Sequence, residues 1–577
     1  MTTLQAPMRG LAASPGVARG RWRRVARLPL PPAGRVAADA VDAEVARLHE
    51  AARAASADLR RLATSVRDQG HPDEAAIFQA HAAIARDPAI IEAAAAAIRT
   101  SQVDAAGAIV DAARAASAQL AALPDELLRG RATDVLDVGD RIARMLAGLP
   151  ADDDLLPVPA IVVAEDLTPS LTATLPRDRI RGIALEGSSP TAHAAILARA
   201  YGIPAVVGIR GLLAGLRAAG EDAELAIDGT SGVVVIAPDE RERRRFDLLA
   251  AAARAGRERD LAEATLPAMT VDGTEVTLLA NIGTPDEAGP AAALGARGVG
   301  LFRTEFLFLE RATPPSEDEQ ADAYRTAVEA FGGDPVTVRL LDVGGDKPIP
   351  YLPISAEDNP FLGVRALRLA EQRPDLFVTQ LRACYRAAVA GPIKVMAPMV
   401  ADARDVERLT DLAAEARAGL AGDGIAFGEI ALGVMLEIPS AVLVADTYFG
   451  SLRFASLGTN DLLQYTLAVD RGNPALERYR DSLHPAVLRL IRLSVEAARR
   501  AGIELSVCGE MAGDPVAALA LVGVGVRQLS MAAPSLPAVR RAIRGADLAA
   551  LQAAANAALS DGSATVVRIR FEAIRPA

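Results

Sequence analysis

Short apolar runs that stop abruptly at a charge or a glycine recur through the second half of this 577-residue chain. Eight of them follow Pro267, at 276–280, 298–302, 336–341, 393–397, 431–436, 454–457, 504–507 and 527–530, with helical stretches between most. A run of four to eight apolar residues so bounded marks a strand buried on both faces. Eight alternating β/α units over about 300 residues predict a closed parallel (β/α)8 barrel of the TIM type.

The first half has a different grain. From 36 to 149 alanine dominates, and apolar positions recur at helical spacing (Val41, Val45 and Leu48; Leu59 and Leu62), which predicts a helical block. Pro88 after Asp87 and Pro124 before Asp125 mark helix boundaries within it. Around 157–236 the pattern changes to short β-like runs, at 160–163, 182–185, 205–207 and 233–236, separated by helices. The segment 10–27 is too short to fold alone and is expected to add a strand or turn to this α/β unit, which makes the helical block an insertion. Pro238 opens a charged helix, 239–264, without a clear apolar stripe, as suits a linker in solvent. The expected organisation is multidomain α/β. An α/β domain is built from 1–35 and 150–238, with a helical subdomain, 36–149, inserted into it. A linker helix, 239–266, and the barrel, 267–577, follow.

Composition narrows the function. The 51% apolar content is ample for several cores, and a net charge of −11 with 3% aromatics argues against a nucleic-acid partner. Two cysteines, Cys384 and Cys508, give neither a disulfide framework nor a zinc cluster. No run approaches the roughly 20 uncharged residues that span a bilayer, and 1–20 lacks an apolar signal core. A cytoplasmic protein with no membrane contact is expected.

Chemistry concentrates at the ends of the predicted barrel strands. Glu437 ends one run, and Asn460 and Asp461 follow the next, in the polar segment 458–473. Oxygen donors without histidine or thiolate suit magnesium, which takes part of its shell from substrate phosphate; a buried salt bridge to arginine is the other reading. Arg303, Arg339, Arg365 and Arg471 are spaced to cradle a small, multiply anionic ligand, since the guanidinium fork matches phosphate and carboxylate. Cys508 ends the seventh run, and reads either as a small buried hydrophobe or as a proton donor. His193 follows the loop 186–190 at a helix start. There it is a surface or capping residue or, near free backbone N–H groups, a phosphoryl acceptor.

Taken together these motifs resemble enzyme I of the phosphoenolpyruvate-dependent sugar phosphotransferase system. The likeness runs over essentially the whole chain. It includes Leu11-Ala12-Ala13-Ser14-Pro15-Gly16-Val17-Ala18, Ala76-Ile77-Phe78-Gln79-Ala80-His81, Glu165-Asp166-Leu167-Thr168-Pro169-Ser170 and the barrel motifs through Cys508-Gly509-Glu510-Met511-Ala512-Gly513-Asp514. The resemblance implies that Arg303, Arg339, Asn460, Asp461 and Arg471 contact phosphoenolpyruvate and that Glu437 and Asp461 hold Mg2+. It further implies that Cys508 protonates the enolate to pyruvate, that His193 accepts the phosphoryl group on Nε2, and that Thr168 orients its imidazole. Arg365 supports the arginine ring. The family passes the group on to a histidine of the carrier HPr. That carrier is expected to dock on the helical insertion around Asp73, Glu74, Phe78 and His81, with core packing as the other reading of Phe78, and a homodimer is expected to form through the barrels. One departure is local: the family commonly has Gly-Gly and then Ser or Cys before the histidine, whereas Ala192 precedes His193 here. Two other readings are a relative of phosphoenolpyruvate synthase or pyruvate phosphate dikinase, for whose extra nucleotide-binding domain no stretch is free, and a non-catalytic phosphoenolpyruvate sensor.

Overall fold

The computed structural model describes residues 7–25, 30, 32–68, 72–122, 132–149, 156, 158–167, 175–187, 194–195, 198, 202–309, 311, 313–344, 349, 351–352, 357–470 and 473–575; within these, the side chains of 65–68, 72–77, 474–475 and 477 are excluded. They fall into two compact units, 1–255 and 256–577.

The first unit holds a mixed sheet and a helical block. Its strands are β1 (Met8–Arg9), β2 (Leu11–Ser14), β3 (Val17–Arg24), β4 (Ala160–Ala164), β5 (Ile180–Leu185), β6 (Ala205–Val207), β7 (Glu224–Asp228) and β8 (Val233–Ile236). They lie in the order β1-β8-β7-β3-β4-β5-β6-β2. β3 through β6 run parallel, while β7, β8, β1 and β2 join antiparallel. The N-terminal segment thus contributes three strands, one of them central. β4 is apolar and buried along its whole length, as a strand covered on both faces must be.

The helical block comprises Val41–Asp68, Pro72–Ile84, Pro88–Ser101, Ala105–Ala121 and Ala132–Leu146. The boundary expected at Pro88 is there: the Asp87 carboxylate accepts from the Ala89 N–H, and proline occupies the first turn, where its missing N–H costs nothing. The boundary read at Pro124 lies outside the described residues. Inside the bundle Leu48, Leu59, Ile98 and Ile109 interlock. The charged helix Glu240–Ala262 closes the series, acidic in its first turn and basic in its last, as the helix dipole favours.

The second unit is a closed barrel of eight parallel strands: β9 (Thr277–Ile282), β10 (Val299–Arg303), β11 (Val336–Arg339), β12 (Ile393–Ala397), β13 (Ile430–Leu436), β14 (Phe454–Leu457), β15 (Glu504–Val507) and β16 (Gln528–Ala532). β16 pairs back to β9 in register Gln528↔Thr277 through Ala532↔Asn281, which closes the cylinder. Helices such as Glu317–Phe331, Pro374–Ala387 and Pro485–Ala501 surround it. Among the described residues no helix is long and apolar enough to cross a membrane.

Candidate active site

The C-terminal end of this barrel carries a ring of charge because each strand stops where its sequence turns polar. Arg303 ends β10, Arg339 ends β11, Glu437 follows β13, and Cys508 follows β15. Asn460 and Asp461 occupy the first turn of helix Thr459–Leu467, directly after β14. They line one cavity of ≈ 210 Å³, together with Glu305 and Asp342. A close backbone approach shapes its wall: a Cβ on Gly509 would lie 1.9 Å from Thr459 Oγ1, so only glycine fits there.

The charges are paired unequally, and the inequality is informative. Arg365 holds Asp342 by Nε at 3.1 Å and by Nη2 at 2.8 and 2.9 Å, and reaches Asp461 Oδ2 at 3.4 Å. Its fork is therefore engaged by two carboxylates of the cavity wall, while Arg365 itself does not line the cavity. Arg339 pairs with Glu305 and, at 3.3 Å, with Asp342. Burial opposes the charge on both arginines, but their carboxylate neighbours outweigh it and hold them firmly protonated. Arg303 lines the cavity and forms no ion pair among the described residues. Arg339 Nε and Glu305 Oε2 are buried polar atoms without a hydrogen-bond partner among the described residues. Buried polar groups are rarely left so, and these two mark where a polar ligand belongs.

Glu437 is fixed from behind. Its Oε1 accepts from the Met399 N–H at 2.7 Å, and Met399 is held in the left-handed region at φ 59°, a strained setting for a side-chain-bearing residue. Burial first, then Asp461 and Asp342, pushes the Glu437 carboxyl up to about 8 against the pull of Arg339 and Arg365. Among the described residues no three His, Cys, Asp or Glu side chains form a metal cage. Two buried carboxylates beside room for a phosphate are the donor set magnesium uses, since it keeps waters and shares the substrate's oxygens. The residues fit such an ion. Cys508 is 2% exposed among Leu301, Met396, Met435 and Phe454, and burial pushes its thiol up to about 11. It is therefore a protonated thiol at neutral pH. The Asn460 Oδ1 accepts from the Glu510 N–H at 3.0 Å, which leaves its NH2 for a ligand.

Family models match three segments: "PEP-utilising enzyme, N-terminal" over 9–131, "PEP-utilising enzyme, mobile domain" over 156–232, and "PEP-utilising enzyme, PEP-binding domain" over 257–548. The chain is 39% identical to a phosphoenolpyruvate-protein phosphotransferase of Geobacillus stearothermophilus, over 93% of this chain and 92% of that one. The chain belongs to the PEP-utilising enzymes, among the phosphoenolpyruvate-protein phosphotransferases. A Streptomyces coelicolor protein of the same name is 41% identical over 99% of both chains. A multiphosphoryl transfer protein of Rhodobacter capsulatus is 42% identical over 89% of this chain, which spans 61% of that longer protein.

Of the residues singled out from sequence, the barrel brings Arg303, Arg339, Glu437, Asn460, Asp461 and Cys508 to the one cavity, with Arg365 paired to Asp342 and Asp461 of its lining. His193, Thr168 and Arg471 lie outside the described residues, as do the side chains of Asp73 and Glu74. The expectation for Phe78 and His81 is corrected. They are 2% and 0% exposed, inside the helical block, where His81 Nε2 lies 3.3 Å from Asp134 and the Phe78 ring stands edge-on to the imidazole. A buried aromatic pair at helical spacing offers a partner no surface. Sequence reasoning also missed Glu305 and Asp342 as parts of the site. Each is a carboxylate just past a strand end, the signal that picked out Glu437.

Proposed function

We propose that this PEP-utilising enzyme transfers the phosphoryl group of phosphoenolpyruvate to His193, and then to a histidine of the carrier HPr, releasing pyruvate as the first step of sugar uptake by the phosphotransferase system. The observation that carries the reading is a guanidinium, Arg303, with no ion pair among the described residues, beside Arg339, four buried carboxylates and a protonated thiol in one small cavity at a barrel mouth. Arg303 and Arg339, with Asn460 and Arg471, bind the phosphate and carboxylate of the substrate by charge-assisted hydrogen bonds. Glu437 and Asp461 would hold Mg2+, which neutralises charge on the phosphoryl oxygens. Nε2 of His193, oriented by Thr168, attacks phosphorus from within about 3 to 3.5 Å. As the P–O bond breaks, the enolate takes the Cys508 proton at C3: an S–H bond breaks, a C–H bond forms and pyruvate leaves. Arginines, carboxylates and a protonated thiol gathered in one cavity favour catalysis over a sensing role.

The division into an α/β phosphohistidine domain (1–35 and 150–238), a carrier-binding helical subdomain (36–149), a linker helix (239–266) and a barrel (267–577) follows from this reading. Asp73 and Glu74 remain the proposed carrier contacts. A homodimer through the barrels is part of the same proposal. Two free buried cysteines suit a reducing cytoplasm.

The test is labelling. With Mg2+ and phosphoenolpyruvate carrying labelled phosphorus, the chain should take up an acid-labile, base-stable adduct that His193→Ala abolishes. Undiminished label in the variant would remove His193 from the acceptor role.

A further inference from the structure

Between the barrel and its outer helices runs a chain of buried polar side chains that no step above uses. Gln380 lies within helix Pro374–Ala387 and is fully buried. An amide in such a layer costs about 1–3 kcal/mol for each group left unbonded, and here every group is bonded. Its Oε1 accepts from the Leu341 N–H at 2.9 Å, while Nε2 donates to Thr304 Oγ1 at 3.0 Å and to the Tyr324 hydroxyl at 3.1 Å. The Thr304 hydroxyl donates to the Arg339 carbonyl at 2.8 Å. Tyr324 donates to Gln320 at 3.3 Å, and Gln320 donates to the Pro315 carbonyl at 3.1 Å. The Tyr324 ring stands edge-on to Phe302 of β10, with centroids 5.7 Å apart.

The placement of this chain matters more than its length. The β10–β11 ladder ends at the pair Arg303↔Arg339, the two arginines that face the cavity. Beyond that pair, the Thr304–Arg339 bond and the Gln380 amide tie the two strand exits together, at Thr304 on one side and Leu341 on the other. Neither Gln380 nor Thr304 lines the cavity. Slippage between the exits would move one guanidinium relative to the other, and recognition of a rigid anion by two forks tolerates little of that. A fully satisfied buried network rigidifies what it joins.

We propose that Gln380 and Thr304, backed by Tyr324, are positioning residues that set the spacing of Arg303 and Arg339 for phosphoenolpyruvate without touching it. The inference rests on the function proposed above. Thr304→Val keeps the side-chain shape and removes the hydroxyl; Gln380→Leu removes the amide; Thr304→Ser keeps the hydroxyl. In the full chain, kcat/KM for phosphoenolpyruvate should fall roughly 10- to 100-fold in the first two and return towards the parent in Thr304→Ser. Back-transfer from phosphorylated HPr to His193, which does not use the arginines, should keep the parental rate in all three. Parental phosphoenolpyruvate kinetics in folded Thr304→Val, equal loss in both half-reactions, or no rescue by serine would each overturn the inference, and Thr304→Val decides it should Gln380→Leu fail to fold. A parent that takes no phosphoryl group from phosphoenolpyruvate would overturn the functional reading, and this inference with it.

Discussion

Binding of magnesium should expel a proton from Glu437. The cavity is lined by four buried carboxylates, Glu305, Asp342, Glu437 and Asp461, and by an exposed fifth, Glu510; against the buried four stand Arg303 and Arg339 in the lining and Arg365, paired with Asp342 and Asp461. Among these buried groups one negative charge is in excess, and a proton on Glu437 cancels it; burial first, then the neighbouring carboxylates, pushes its carboxyl up to about 8. At neutral pH Glu437 then holds its proton for most of the time, and a cation must displace it. Apparent magnesium affinity should rise roughly tenfold per pH unit from 6 towards 8, about 1.4 kcal/mol per unit, and flatten above. The sign for stability is the reverse in the metal-free protein. A folded pKa above the unfolded one gives stabilisation that is complete below about 4.5 and is lost as pH rises through about 8.

The assay is calorimetric titration of the full chain with magnesium, in two buffers of different ionisation enthalpy at each pH. The heat difference counts protons. Glu437→Gln, neutral without a proton, should lose both the ion and the proton release. Magnesium affinity that is flat from pH 6 to 8, or binding without proton release at pH 7, would refute the charge-balance reasoning.

Cys508→Ser should slow pyruvate formation by roughly 10²- to 10⁴-fold with little change in phosphoenolpyruvate binding, as rapid-quench and equilibrium measurements would report; unaltered turnover would return Cys508 to a packing role. Asp342→Asn removes the carboxylate that Arg365 holds through two nitrogens, and should destabilise the second unit by about 3–5 kcal/mol in urea unfolding. Ser316→Ala breaks a capping box shared with Glu319 and should cost about 1 kcal/mol at neutral pH. Hydrogen bonds from Arg311 first, then from the Ser316 N–H, bring the Glu319 carboxyl down to about 2, so its share is present above about 4.5 and is lost as pH falls towards 2; thermal melts at pH 7 and pH 2.5 compare the two.

Much of the barrel was legible because burial on both faces leaves little choice of residue. β12, β14 and β15 occupy the stretches read from their apolar runs, and the other five strands differ from the reading by one or two residues at one or both ends. β7, by contrast, went unread. It begins at Glu224 and ends at Asp228, so only three apolar residues stand between charges and no run is visible. β3 was expected only as a strand or turn somewhere in 10–27, because arginines at 19, 21 and 23 occupy one face and only alternate positions such as Ala18 and Gly20 are buried. Of the site, what could be read were charges standing directly after a strand, because a strand end is where the chain must turn and where a polar group can face a cavity.

What could not be read was anything whose role depends on a neighbour from another element. In the alanine-rich helix Pro72–Ile84 an inward aromatic has no polar stripe beside it to reveal direction, so His81 read as surface and Phe78 as either surface or core, when both are core. Gln380 carries no charge and sits amid the apolar residues of its helix, a place where a lone amide looks incidental. Only the fold shows that Leu341, Thr304 and Tyr324 come to it from a strand exit, a turn and a second helix. Sequence marks the groups that meet a ligand, since ligands demand charge at the end of an element. The groups that hold those charges at a fixed spacing face inward and are neutral, because a neutral amide costs less to bury than an ion, and so they look like any other buried residue until their partners are in place.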